Sequence, residues 1–364
     1  MRYLLISFCL LLLSCNSADL ADVPWVLEDE THEGFLKVRS AGKSVFVGTE
    51  DSLALASEKP RMEVKFTYDF SMQEHEVTQG EFALLLKGND DVDEKNLPVA
   101  NVTYYDAVLY ANALSKKEHL DTVYTYVGLS RDATGNCSNL DGLVFHPDVE
   151  GYRLPTEAEW IYVASDHFLP EDSWNNENSE YRSHDVCTAV QNGSTFCDMA
   201  GNVMEWVNDW KGSFRDTVFE NYVGAPDGGT LGERVVKGGC FRSSASSINL
   251  YSRGDVYAVT SGTKSDYVGF RLAIGKIPDP VWINSRGSTV ESTVNIIASI
   301  ESVKQKMKTY RSKLAFRNDV THNLAYVEYF NPIRVVVEIQ DTLNVFHPDI
   351  SPDGNRVAFC TKIE

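Results

Sequence analysis

The stretch G-Y-R-L-P-T-E-A-E-W, Gly151 to Trp160, decides how the chain is read. Pro155 closes an extended piece, and Thr156 with Glu159 three residues on has the form of a capping box opening a helix. Three shorter stretches follow in order: G-N-V-M-E-W at Gly201–Trp206, R-V-V-K-G-G at Arg234–Gly239 and V-G-F-R-L-A at Val268–Ala273. Upstream lie H-E-V-T-Q at His75–Gln79 and P-V-A-N-V-T-Y-Y-D-A at Pro98–Ala107. Thr78 and Glu81 make a second capping box, and Val108, Ala111 and Leu114 share one face of an amphipathic helix. Gly34–Thr49 reads as two strands with a turn, and Glu63–Phe70 alternates as a strand.

Composition sets the outer bounds. The chain has 364 residues, 43% hydrophobic and 11% aromatic, which is globular rather than disordered. Lys+Arg at 33 against Asp+Glu at 52 gives a net charge of −19, which repels phosphate backbones and excludes nucleic acid as an expected partner. Arg2 precedes an apolar run, Leu4 to Leu13, that is too short to span a bilayer and reads as a signal-peptide core. Its end, Leu12-Leu13-Ser14-Cys15, resembles a bacterial lipobox, in which Cys15 becomes the lipidated first residue; the alternative is an ordinary secretory signal with an incidental cysteine. Of seven cysteines, removing Cys9 and Cys15 leaves Cys137, Cys187, Cys197, Cys240 and Cys360. Export places them in an oxidising compartment, where Cys187 and Cys197, close in sequence, are the best candidate disulfide.

Taken in order, the motifs from Gly34 to Ile274 resemble the formylglycine-generating enzyme (sulfatase-modifying factor) family. The resemblance implies an α+β fold, a large elaboration of the C-type lectin type. It also implies that Arg153, Glu157, Glu159 and Trp160 cap a helix and pin loops through buried bonds, with Arg271 paired to a motif carboxylate. Members that oxidise a substrate cysteine to formylglycine hold copper with two cysteines shortly after the glycine pair matching Gly238-Gly239. Here the corresponding positions are Ser243 and Ile248, and neither supplies the soft thiolate that copper(I) takes. Copper is therefore not expected, nor is formylglycine synthesis. The competing reading is a copper-dependent oxidase using Cys240 and an unforeseen partner.

By the same resemblance D-M-A-G-N-V-M-E-W at Asp198–Trp206 matches a structural calcium loop, with carboxylates from Asp198 and Glu205 and carbonyls from Gly201 and Val203. Two carboxylates and free carbonyls are the hard oxygen donors calcium takes. In a metal-free alternative Asn202 and Glu205 satisfy buried loop amides. A cleft formed by Trp206, Arg242, Ser243, Tyr251, Arg253 and Asp255 has the aromatic and guanidinium content that suits a peptide or glycan. The expected role is binding of an envelope protein or carbohydrate, by a lipoprotein at the cell surface or in the periplasm.

Beyond Pro278 the composition changes. Ser288–Tyr310 carries a helical stripe of Val294, Ile297, Ile300 and Val303. L-A-F at Leu314–Phe316 recurs as V-A-F at Val357–Phe359, and H-P-D-I-S-P-D-G-N-R-V-A-F at His347–Phe359 resembles a TolB-type β-propeller repeat. A single blade cannot bury its faces alone, so a truncated, longer protein is expected, the alternative being a degenerate remnant of a propeller. The expected organisation is a signal peptide over 1–15, a tether over 16–33, the family domain over 34–275, a linker and helix over 276–311, and an incomplete propeller over 312–364.

Overall fold

A computed structural model describes residues 24–89, 92–190, 195–228, 231–254, 258–284 and 287–290, and between 313 and 361 the stretches 313–318, 321, 323–328, 336–339, 345–351 and 355–361. Among the described residues short strands and three α-helices dominate. Helix α1 is Gln79–Lys87, α2 is Tyr104–Lys117 and α3 is Glu157–Ala164. Each begins with a threonine whose hydroxyl accepts an N–H three residues on, while the acid at that position accepts the threonine's own N–H: Thr78 with Glu81, Thr103 with Asp106, Thr156 with Glu159. This reciprocal cap satisfies donors that a helix start otherwise leaves open.

An antiparallel sheet orders its strands Val26–Glu28, Phe35–Val38, Phe70–Gln73, Ala273–Ile274 and Tyr152–Arg153. A second sheet sets Met204–Trp210 between Arg234–Lys237, antiparallel to it, and Val268–Phe270, parallel to it. A third joins Val218–Glu220, Met62–Lys65 and Ser44–Val47. The sequence motifs are thus strand segments that meet in space. Val268–Phe270 lies in one sheet and Ala273–Ile274 in another, and Arg271 stands fully buried between them.

Two apolar cores result. Tyr104, Val108, Ala111, Trp206 and Phe270 pack together on the α1–α2 side, and Val64, Phe66, Trp160, Val207 and Phe214 pack together around α3. The domain is wider than 34–275. Val26–Glu28 pairs with Phe35–Val38 and Trp25 stacks edge-on to Tyr162 at 5.9 Å, so part of the expected tether belongs to the fold. At the other end Ile277, Trp282 and Ile283 are buried in the second core, because apolar side chains of that size gain by leaving water.

The two strands read within Gly34–Thr49 form, but in different sheets, and the strand read over Glu63–Phe70 is two strands, Met62–Lys65 and Phe70–Gln73, in different sheets. The helix expected from Ser288 does not begin there. Gly287 turns at φ +80°, Asn284 donates to the Ser288 carbonyl at 3.0 Å, and Thr289–Val290 pairs antiparallel with Trp282–Ile283. β-branched residues after a glycine turn favour that extended course. The stripe from Val294 to Val303 lies outside the described residues. Further on, Lys313–Arg317, Leu324–Glu328 and Val337–Ile339 form an antiparallel sheet, and Val345–Ile350 pairs with Val357–Thr361. Cys15 and the apolar leader also lie outside the described residues. Among the described residues no helix is long and apolar enough to cross a membrane.

Candidate functional site

The charged motif residues are interior. Arg153 grips Glu159 through two 2.7 Å bonds, and the Tyr68 hydroxyl adds a third donor at 3.0 Å. Arg271 grips Glu205 in the same forked way at 2.7 Å, and Trp160 Nε1 donates to the same carboxylate at 2.9 Å. Glu157 receives Arg253 at 2.9–3.0 Å and stands 3.5 Å from Lys237 Nζ. All these ion-pair side chains are fully buried. Removing one partner of such a pair leaves an uncompensated interior charge and costs about 3–5 kcal/mol, which makes these residues scaffold. Burial pulls Lys237 down to about 8, against the opposing pull of Glu157.

The copper positions do not fit a copper site. Ile248 is buried, and its side chain fills the space beside Gly239, where a Cβ would approach Ile248 Cγ1 to 2.6 Å. Gly239 itself turns at φ +68°, so glycine is needed there on both counts. Ser243 Oγ accepts the Cys240 N–H at 3.1 Å and lies 3.6 Å from Cys240 Sγ, whose side chain is buried in the first core. One buried thiol beside a hydroxyl and an isoleucine is not a two-thiolate donor set.

The calcium set does not assemble as expected either. Asp198, Gly201, Val203 and Glu205 lie along one turn leading into Met204–Trp210, but Glu205 uses both carboxylate oxygens on Arg271 and Trp160, and the guanidinium beside it repels a divalent cation. Asp198 accepts the Cys187 N–H at 2.7 Å through one oxygen, and its other oxygen is buried without a hydrogen bond among the described residues. The Val203 N–H goes to Glu76 at 3.1 Å. Asn202 bridges Glu76 and the His184 N–H, the loop-amide role of the metal-free alternative. Burial, reinforced by the Asp198 and Glu205 carboxylates, holds the Glu76 carboxyl well above the usual range.

The expected cleft is divided. Trp206 is fully buried and donates Nε1 to the Val102 carbonyl at 3.2 Å, so it cannot touch a ligand. Arg253 is 1% exposed and committed to Glu157. Each is tolerated inside because its polar atoms have internal partners: the Trp206 ring gains by burial, and the Arg253 desolvation cost is offset by Glu157 and the Ser57 and Gly212 carbonyls. Ser243 lines a pocket of about 280 Å³ with Leu55, Ser57, Lys211 and Ser252, beside which Tyr251 reaches Asp51 at 3.4 Å. Arg242 points the other way, pairs with Asp266 and lies 5.2 Å from the Tyr267 ring. Asp255 lies outside the described residues. Cys187 and Cys197 are disulfide-bonded, with Cα atoms 5.0 Å apart.

A groove of about 1000 Å³ lies elsewhere, lined by none of these cleft residues, with Phe82, Leu109, Tyr126, Arg131, Tyr181 and Arg182 on its walls. Helices α1 and α2 supply one side and the hairpin Gly128–Arg131/Cys137–Asp141 another. That hairpin's turn is pinned by Lys264, whose ammonium meets Asp132 and Thr134 at 2.6 Å. At the rim Glu180 and Tyr181 both take positive φ, 54° and 57°, which costs a non-glycine residue about 1–2 kcal/mol each. The strain is held by Ser179, whose hydroxyl donates to the Phe241 carbonyl at 2.8 Å and accepts the Tyr181 N–H at 3.2 Å. The result is a tyrosine 68% exposed at the groove mouth, next to Arg182. In sequence this wall falls within the Asn- and Ser-rich stretch Asn175–Ser194, in which no local pattern marks a groove.

Residues 31–276 match the family model described as sulfatase-modifying factor enzyme 1-like domain. The chain is 30% identical over 175 residues to the chaperone protein LppX of Paenibacillus barcinonensis, covering 39% of this chain and 62% of that protein. It is 32% identical over 149 residues to the formylglycine-generating enzyme of Streptomyces coelicolor, covering 34% of this chain and 46% of that enzyme. It therefore spans less than two thirds of the length of either curated relative. Among solved structures, Treponema denticola variable protein 1 is similar with a TM-score of 0.53 at 25% identity, over 66% of this chain and 95% of that one.

Proposed function

The chain belongs to the sulfatase-modifying factor enzyme 1-like family, and we propose that its domain is a binding module rather than an oxidase. One observation carries the reading: Ser243 and buried Ile248 stand where the resemblance calls for copper thiolates. A groove of about 1000 Å³ with tyrosine, arginine and aliphatic walls supports binding of an envelope protein or a carbohydrate. Similarity to a protein described as a chaperone favours a protein partner. We place the chain in the bacterial envelope, anchored through lipid on Cys15, with the strands after Lys313 read as a TolB-like repeat. Incubating the chain with copper, oxygen and a Cys-x-Pro-x-Arg peptide should leave the peptide thiol unchanged by mass spectrometry. Conversion to the aldehyde, with loss of conversion in Cys240→Ser, would overturn the proposal.

A further inference from the structure

The disulfide Cys187–Cys197 has a third potential ligand beside it. A Glu74 carboxylate oxygen and the two sulfurs all lie within 4.8 Å of one another. Two thiolates and a carboxylate are the donors a zinc-class cation takes, with a water completing four-coordination, and exposed Cys187 and half-buried Glu74 leave that position open to solvent.

The backbone that presents these three residues is fixed by bonds other than the disulfide. The Cys197 N–H donates to the Glu74 carbonyl at 2.9 Å, which ties two of the three directly. Arg271 Nη1 donates to that same Glu74 carbonyl at 3.0 Å, and its Nη2 to the Cys197 carbonyl at 2.8 Å. The Cys187 N–H is held by Asp198 at 2.7 Å, and the Glu74 N–H by the Gly34 carbonyl at 3.0 Å. Arg271 is itself locked on Glu205, so the frame belongs to the folded core. Opening the S–S bond frees the sulfurs to move to the roughly 3.8 Å separation that two Zn–S bonds of about 2.3 Å require, without dismantling that frame.

We propose that Glu74, Cys187 and Cys197 form a redox-gated site for a thiophilic divalent cation of the zinc class. In the disulfide form the site is closed, because neither sulfur is a thiolate. A dithiol reductant transfers two electrons and two protons to the disulfide, leaving two cysteine thiols and its own disulfide. The cation then displaces both thiol protons, binds the two thiolates and the Glu74 carboxylate, and releases two protons to solvent. The site is separate from the groove and does not depend on the binding-module reading.

The test uses the full chain, reduced with a phosphine, freed of reductant and titrated with Zn²⁺ against a chelating dye. One equivalent should bind with release of two protons, and the oxidised chain should bind none at that site. Cys197→Ser should abolish binding and Cys240→Ser should leave it intact. Glu74→Gln should weaken it about tenfold or more, since even outer-shell partners of a metal are worth that. A readout on the unmutated chain guards against misfolded variants: zinc should slow alkylation of Cys187 and Cys197, mapped by mass spectrometry, and not that of Cys240. Equal zinc uptake by oxidised and reduced chain, or alkylation at Cys187 and Cys197 unaffected by zinc, would overturn the proposal.

Discussion

Asp209 is fully buried, accepts the Glu157 N–H at 2.9 Å through one oxygen and leaves the other without a hydrogen bond among the described residues. Burial, with the Glu157 carboxylate behind it, pushes its pKa from 3.8 up to about 8. The native state then keeps a proton that the unfolded chain releases, so stability falls as pH rises from about 4 to about 8. Lys237 acts in the opposite window. Its pKa is drawn from 10.5 down to about 8, the unfolded chain binds the extra proton above that, and stability rises with pH beyond about 8. Asp209→Asn keeps an acceptor for the Glu157 amide and removes the first slope. Urea midpoints for both proteins at pH 5, 7 and 9 should show the variant gaining on the wild type between pH 5 and 8 and then a constant difference. A difference that does not vary with pH would mean that Asp209 is ionised in the fold.

Helix α3 shows why elements were easier to read than their partners. Thr156 and Glu159 announce its start through local chemistry alone, and Thr78 with Glu81 does the same for α1. Thr103 with Asp106 carries the same signal for α2, with aspartate in place of the usual glutamate. Thr156→Ala should cost about 1–2 kcal/mol in urea unfolding, with Thr156→Ser recovering most of it, because the lost bond is the hydroxyl's acceptance of the Glu159 N–H at 3.1 Å. Strand partnership was not legible in this way. Phe35–Val38 and Ser44–Val47 look like neighbours in sequence, yet one pairs with Phe70–Gln73 and the other with Met62–Lys65. Strands of two to five residues carry too few alternations to set register, so pairing is fixed by long-range packing. The segment after Ser288 failed similarly, since its helical stripe says nothing about the Gly287 turn that starts a strand.

At the scale of the molecule, the groove was not legible in the sequence. Ser243 and Ile248 announce the missing thiolates by their identity alone, whereas the groove is assembled from α1, α2, the 128–141 hairpin and the 180–183 loop, stretches that no local pattern joins. Trp206 and Arg253 look like ligand contacts in sequence because their chemistry is the same inside or out, and only the fold reveals internal partners. Among the side chains the fold leaves outward are Tyr181, which with Glu180 takes positive φ, and Arg182 beside it. Strain of that kind persists only where the surroundings hold it, and Ser179 with the Phe241 carbonyl does so here. The groove wall carries charges of both signs, Lys87, Lys116, Arg131 and Arg182 with Glu94, Asp106 and Asp266. Tyr181→Ala combined with Arg182→Ala should therefore lower retention of the chain on immobilised cell-envelope extract by about tenfold or more, the loss expected when an exposed aromatic and arginine anchor are both removed. Tyr251→Ala, beside the smaller pocket, should leave retention unchanged. Raising salt should weaken the wild type more than the double variant, because the arginine's share of the attraction is the part that ions screen. The reverse ranking, with Tyr251 dominant, would move the binding face to the pocket over Ser243.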